Sequence, residues 1–369
     1  VSLEIIFCFV FILVAAVQLY YHWAYFNLLP NCVISDKKNT TPSPVSIVVA
    51  ARNEAKLLPT LIIKLLDQDH PNFELIIVND RSEDESASIL NELEAKHKKL
   101  KVIHVSELPQ SWNGKKNALQ LGIEAAQHEI ILLTDADCIP NSNQWISQMA
   151  GSFKDETDFV LGFSPYENKK GFLNQIIQFE TLLTAIQYLS FAIKRQPYMG
   201  VGRNLAYRKS VFLKHSFQGY ESKTGGDDDL FVNAHATAAN TEICIHPDAH
   251  VTSIPKSTWR DYFRQKLRHL SVGKNYRKKD QTRLGLFALS SLTGWIMLFW
   301  AILASFNIGL ILVIVGIKSL SFYVIFTRSG RKLKMNMAYW ALPFLDLCLN
   351  LYYPMVGLVA LIAKKVKWS

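Results

Sequence analysis

The chain divides into long uncharged apolar stretches and a polar middle carrying short apolar runs. Residues 5–29 contain no Asp, Glu, Lys or Arg, and about 20 such residues suffice to cross the hydrocarbon of a bilayer. The far end of that stretch is aromatic (Tyr20, Tyr21, Trp23, Tyr25, Phe26), as at a headgroup interface. A cleaved signal peptide is the competing reading; the length of the run and the lack of a small-x-small site weigh against it. Residues 284–317 are again uncharged, and the apolar character continues past Lys318 to Phe326. That predicts two spans turning near Ser305, Phe306 and Asn307, followed by a basic loop over 328–334. A third apolar stretch, 337–363, is interrupted by Pro343, Asp346, Asn350 and Pro354, and reads as one kinked span or two half-spans.

Between the spans the pattern predicts an α/β domain. Residues 45–54 (VSIVVAARNE) read as a strand ending at Arg52-Asn53-Glu54, and 55–68 as a helix. A strand over 73–78 ends at Asn79-Asp80, and a helix over 82–98 follows. Then come a strand at 102–105, a helix at 113–127 and a strand at 129–134. This order predicts a mostly parallel sheet covered by helices on both faces. No GxGxxG follows the first strand, which argues against a Rossmann dinucleotide enzyme. Residues 172–193 have the length of a span and one charge, Glu180. We expect a helix lying against the membrane-facing side of the α/β domain, because a crossing there would put Asp135 and Asp227, two acids taken up below as one candidate site, on opposite sides of the membrane. The expected division is an anchor at 1–30, a linker at 31–44, a catalytic domain at 45–256, an amphipathic interfacial region at 257–283 and a membrane region at 284–369.

The net charge is +9. Its basic residues cluster beside the spans, which fits anionic lipid and phosphate ligands better than nucleic acid, for which no motif is visible. Lys37 and Lys38 after the first span, and the basic residues at 260–283 before the second, place the catalytic part in the cytoplasm by the positive-inside rule. The 328–334 loop agrees; the tail (Lys364, Lys365, Lys367) disagrees if the last stretch crosses once. Five cysteines lie scattered without metal or disulfide spacing, as in a reducing compartment.

The candidate chemistry sits at strand ends. Ile130 to Leu133 stops at Asp135-Ala136-Asp137, and ligands of open α/β sheets bind outside the carboxyl ends of strands. Two hard carboxylates one residue apart can share Mg2+ or Mn2+, which can hold a diphosphate; an Asp-rich turn is the plain alternative. Asn53, Glu54 and Asp80 could read a base and ribose. Lys115 opens a helix, against the helix dipole, and an anion there would relieve the conflict. Three aspartates stand in a row in GGDDDLF (225–231), either for function or to favour a helix N-terminus. Gly200, Gly202 and Asn204 look like a strand edge close to a donor sugar. Gln265 and Arg268 share a face of a basic amphipathic segment, 259–276, which also suits lipid headgroups.

Taken together, these pieces resemble a membrane-anchored family 2 glycosyltransferase of the cellulose-synthase-like, poly-N-acetylglucosamine-synthase-like or ceramide-glucosyltransferase-like kind, over about 45–276. VSIVVAARNE resembles the family's opening strand, IIVNDRSED its VDDxSxD segment, GKKNAL its GKxxAL segment, TDADCIP its DxD, GGDDDL its TEDxDL and QKLRH its QxxRW. The resemblance implies a GT-A-type fold, a metal on Asp135 and Asp137, and a nucleotide-diphosphate sugar, most often a UDP-sugar. Arg52, Asn53, Glu54, Asp80, Lys115, Asp135 and Asn204 would bind it. Asp227 would be the catalytic base of an inverting transfer, and Gln265 and Arg268 would serve the diphosphate and acceptor. Asn79, Gly226 and His269 depart from the pattern; His269 replaces the Trp that stacks on an acceptor sugar. The implied acceptor is a lipid, glycolipid or glycan at the cytoplasmic membrane face. A processive polysaccharide synthase, a catalytically inactive membrane scaffold and a nucleotidyltransferase remain the alternatives.

Overall fold

The computed structural model describes residues 3–36, 42–304 and 308–362. Lys37 and Lys38, the expected turn at 305–307 and the basic tail fall outside the described residues. Contacts divide the chain into two units, one of residues 1–32, 168–194 and 256–366, the other of 33–167, 195–255 and 367–369. The sheet-bearing unit is therefore not continuous over 45–256: the segment 168–194 groups with the apolar helices.

In the sheet-bearing unit the strands are β1 (Val45–Ala51), β2 (Phe73–Asp80), β3 (Leu100–Val105), β4 (Ile130–Leu133), β5 (Cys138–Pro140), β6 (Phe159–Gly162), β7 (Leu205–Arg208), β8 (Thr241–Cys244) and β9 (Val251–Ser253). Seven of them form one sheet in the order β3-β2-β1-β4-β7-β6-β8, and β5 pairs with β9. β3, β2, β1 and β4 are parallel, as the alternation with helices predicts; β7 runs antiparallel to both β4 and β6. This mostly parallel sheet flanked by helices is of the GT-A type.

Both sheet faces are covered because β1 is apolar on both sides. Val45, Ile47, Val49 and Ala51 pack with Leu58, Leu61, Ile62 and Leu65, the i, i+3, i+4, i+7 stripe of helix Leu58–Leu66. Each such buried aliphatic side chain contributes about 1.5–3 kcal/mol relative to exposure. Val48 points the other way, against helix Gly114–Ala125, where a Cβ on Gly122 would lie 2.5 Å from it. That close approach seats the helix so that its N-terminus lies at the carboxyl edge of the parallel strands.

The other unit is helical. Leu3–Tyr21 leads through a π turn, His22–Phe26, to Leu28–Asn31; Phe172–Ile193, Trp259–Gly273, Lys278–Leu303, Ile308–Lys332 and Leu342–Ile362 follow. Five helical segments are long and apolar enough to cross a membrane. Four of them bury only 17–28% of their apolar window, and exposed Phe9, Leu289, Phe299, Leu312 and Leu358 give them apolar outer faces. Phe172–Ile193 buries 72% of its window, so it is an interior helix of this unit. Buried polar ties join neighbours: Gln18 Nε2 donates to Ser290 Oγ at 2.5 Å and to the Phe287 carbonyl at 3.0 Å. One expectation changes here, and another is decided between its two alternatives. Residues 328–332 are not a loop but the last turn of Ile308–Lys332, where Gly330 lets Tyr339 pack against the backbone. Residues 342–362 form one helix with Pro354 inside it.

Candidate active site

The carboxylates meet at the carboxyl edge of β1, β2 and β4. Asp135 follows the end of β4 after Thr134. Lys115 stands in the first turn of Gly114–Ala125, and its Nζ lies 2.8 Å from Asp135 Oδ1 and 2.9 Å from Asp227 Oδ2. One ammonium thus draws together two acids contributed by distant parts of the chain. Burial opposes charge on Lys115, but Asp135, Asp227 and Asp228 outweigh it and hold its pKa well above the usual lysine value. Burial likewise pushes the Asp227 carboxyl up, and Lys115 outweighs that push, so Asp227 titrates below the ordinary carboxylate range. The anion expected to relieve Lys115 is here supplied by protein carboxylates.

The three consecutive aspartates divide their work. Asp228 caps helix Asp229–His235, its Oδ1 accepting the Asp229 N–H at 2.7 Å and its Oδ2 the Gly202 N–H at 2.6 Å. Asp229 sits in the first helical turn, where negative charge is favourable. Only Asp227 pairs with Lys115. The helix-start and functional readings therefore both hold, for different residues of the run.

Ligand atoms of Asp135, Asp137 and Cys138 lie within 4.8 Å of one another. Cys138 is fully buried, and burial, followed by Asp137 and Asp135, pushes its thiol pKa well up. It stays protonated and donates to Asp137 Oδ1 at 3.2 Å. The two carboxylates are hard donors and fit a hard cation such as Mg2+ or Mn2+.

Asp80 ends β2 with both oxygens accepting from Arg81, at 2.7 and 3.0 Å. A Cβ on Gly114 would fall 2.4 Å from Asp80 Oδ2 and from Arg81 Nη2, so the glycine of GKKNAL lets this pair approach the helix N-terminus. Asn53, in the left-handed region at φ 56°, accepts the Glu83 N–H on Oδ1 at 2.8 Å, and its own N–H donates to Ser82 Oγ. Glu54 N–H donates to Ser86 Oγ. The loop after β1 is thereby laced to the loop after β2, with Arg52 half-buried beside it.

Asn204 departs from its expected role. It is fully buried; Oδ1 accepts the Trp145 indole N–H at 2.9 Å, and Nδ2 donates to the carbonyls of Phe163 and Ala249 at 2.8 and 2.7 Å. Its amide is engaged inside the protein by these three bonds, so it is a structural tie of the site. Nor is 200–204 a strand edge: Gly202–Asn204 is a single 3-10 turn leading into β7. Gln265 and Arg268 lie on helix Trp259–Gly273 of the helical unit, three residues apart.

Two cations escaped the sequence reading. Lys116, fully buried, donates to the carbonyls of Lys223 and Gly225 at 2.6 and 2.5 Å, anchoring the loop before Asp227. Burial lowers its pKa to about 8. Arg203 stacks on Tyr166, with Cζ 4.2 Å from the ring centroid. Burial works against its charge, but its neighbours, the carboxylates of Asp137 and Asp135 among them, hold its pKa above the usual arginine value. The only sequence signal for it was its place between Gly202 and Asn204.

The Glycosyl transferase family 2 description matches residues 46–215. The probable glycosyltransferase YdaM of Bacillus subtilis is 27% identical over 246 residues, 61% of this chain and 54% of that protein. Beta-monoglucosyldiacylglycerol synthase of Trichormus variabilis is 40% identical over 95 residues, 25% of this chain and 20% of that one. The chain therefore spans about half or less of these relatives' lengths. Among solved structures, the mannosyltransferase PcManGT of Pyrobaculum calidifontis, in complex with GDP-Man and Mn2+, shares the fold with a TM-score of 0.59 at 16% identity, over 95% of this chain and 99% of that one. The acids gathered by Lys115 lie on segments that motif order had aligned with this family, and the chain carries a glycosyl transferase family 2 domain over residues 46–215.

Proposed function

We propose that the protein is an inverting glycosyltransferase. It would move a sugar from a nucleoside-diphosphate sugar, UDP-linked in the first instance, to a lipid, glycolipid or glycan hydroxyl at the cytoplasmic membrane face. The observation that carries this reading is Lys115 bridging Asp135 and Asp227, which joins the acids of DxD and of the base motif at one sheet edge.

In this reading Asp227, ionised at neutral pH, accepts the proton of the acceptor hydroxyl as its oxygen bonds the anomeric carbon. The bond from that carbon to the diphosphate breaks, and the diphosphate leaves from the opposite face. Asp135 and Asp137 would hold a divalent cation, which supplies charge neutralisation for the leaving group when bound. Lys115 adds a fixed positive charge at the same edge. Gln265 and Arg268 enter through motif resemblance, as diphosphate and acceptor-side groups.

The apolar helices and the basic residues of 260–283 support a membrane-borne acceptor reached from the cytoplasm. The relative named for a glucosylated diacylglycerol supports a lipid acceptor, and His269 in place of an aromatic platform favours one transfer over processive synthesis. The test is purified full-length chain with a panel of nucleotide sugars, Mn2+ and membrane lipids. Release of nucleoside diphosphate and a lipid-soluble labelled product is expected. Release of pyrophosphate would indicate nucleotidyl transfer, a long polysaccharide would indicate a synthase, and binding without turnover would indicate a scaffold.

A further inference from the structure

The Gly202–Asn204 turn is held on both sides of Arg203. Before it, Gly202 N–H donates to Asp228 Oδ2 at 2.6 Å, and a Cβ at Gly202 would stand 3.1 Å from that oxygen. After it, Asn204 is fixed by its three buried hydrogen bonds. The guanidinium is held in turn by the ring of Tyr166. Tyr166 bridges through its backbone to Ser253, and Ser253 is the register partner of Cys138. The turn, the tyrosine and the strand following DxD therefore converge, and Arg203 lies within the electrostatic reach of Asp137 and Asp135.

A half-buried arginine at such a place is usually a counterion for its neighbours. Here Asp135 pairs with Lys115, and among the described residues no carboxylate lies within 4.0 Å of Arg203. Its Nη1 is buried and has no hydrogen-bond partner. A buried donor left unmade is unfavourable, and a guanidinium is suited to phosphate oxygens through its planar fork. The flanking ties hold the backbone of the turn and Tyr166 holds the guanidinium, so its position is preorganised for a ligand.

We propose that Arg203 is a donor-binding residue whose guanidinium, stacked on Tyr166, hydrogen-bonds a phosphate oxygen of the nucleotide sugar. This rests on the glycosyl-transfer reading above. It adds a second fixed cation to the DxD acids, on a different segment from Lys115. Tyr166 is its positioning partner: it holds the guanidinium plane without touching the ligand.

The test is calorimetric binding of UDP, GDP, uridine and guanosine, with Mn2+, to the full chain in detergent. Arg203→Met should weaken the diphosphate that the wild type binds by about 10–100-fold, as for loss of a charge-assisted hydrogen bond. Affinity for the matching nucleoside should stay unchanged, and Arg203→Lys should recover part of the loss. Tyr166→Leu should give a smaller loss, which keeps the proposal testable if Arg203→Met folds poorly. Equal diphosphate affinity in wild type and a folded Arg203→Met would overturn this inference alone, as would an equal loss for nucleoside and diphosphate. A wild-type chain that binds neither UDP nor GDP would overturn the glycosyl-transfer reading and this inference with it.

Discussion

Asn204→Ala separates a structural role from a binding role at a position where sequence and structure disagree. The substitution removes the acceptor of the Trp145 indole N–H and the donor to the Phe163 and Ala249 carbonyls. Each buried group left unpaired costs about 1–3 kcal/mol. The Phe163 carbonyl retains a longer bond from the Val251 N–H at 3.4 Å, which moderates its share. Trp145 is fully buried, so its N–H cannot turn to water. A loss of about 3 kcal/mol is expected, a large part of the roughly 5–15 kcal/mol of a typical domain. For a unit of this size that corresponds to a fall in melting temperature of about 6–12 °C. Thermal unfolding in detergent, followed by tryptophan fluorescence, reads this directly. Nucleotide affinity measured well below the melting temperature should fall far less than in Arg203→Met. An unchanged melting temperature with lost nucleotide-sugar affinity would refute the reasoning and restore Asn204 as a donor contact.

Asp227→Asn should keep donor binding and lose turnover by roughly 10²–10⁴-fold, measured by single-turnover transfer; a larger loss in Asp229→Asn would show that the base is misassigned. Asp137→Ala should abolish transfer and weaken nucleotide binding, and excess EDTA should do the same to the wild type; full activity in EDTA would exclude the carboxylate pair as a metal site. His250 is buried and its pKa is lowered to about 4, chiefly by burial. Because its folded value lies below the unfolded one, the stability it contributes is complete above about pH 6.5 and is lost as pH falls toward 4. The wild type should lose about 2 kcal/mol from this group between pH 7 and pH 5. Melting curves of His250→Gln across that range should be flatter, and an identical slope would sink the assignment.

The elements that sequence reading placed well are those coded by local period. The alternation of β1 and the stripe Leu58, Leu61, Ile62, Leu65 each announce a buried face, and the parallel order of β3-β2-β1-β4 follows from strands linked by helices. DxD was legible because an apolar run of four residues, Ile130–Leu133, ends abruptly in acids. Helix ends were less legible: nothing local marks Arg328 to Lys332 as helical, and it took Tyr339 packing on Gly330 to show how that turn is covered.

What only the tertiary structure decided concerns side chains whose meaning lies in partners far along the chain. Asn204 and Arg203 are adjacent and both polar; one is sealed among Trp145, Phe163 and Ala249, the other lies over the ring of Tyr166. Lys115 and Lys116 are likewise adjacent, yet one bridges Asp135 and Asp227 while the other holds the carbonyls of Lys223 and Gly225. Successive residues on a helix point about 100° apart, so neighbours in sequence enter different surroundings. Residue type and period determined which segments form strands and helices and where acids gather. Burial and long-range pairing, which depend on the order β4-β7-β6-β8, determined which polar groups hold the fold and which are left for a ligand.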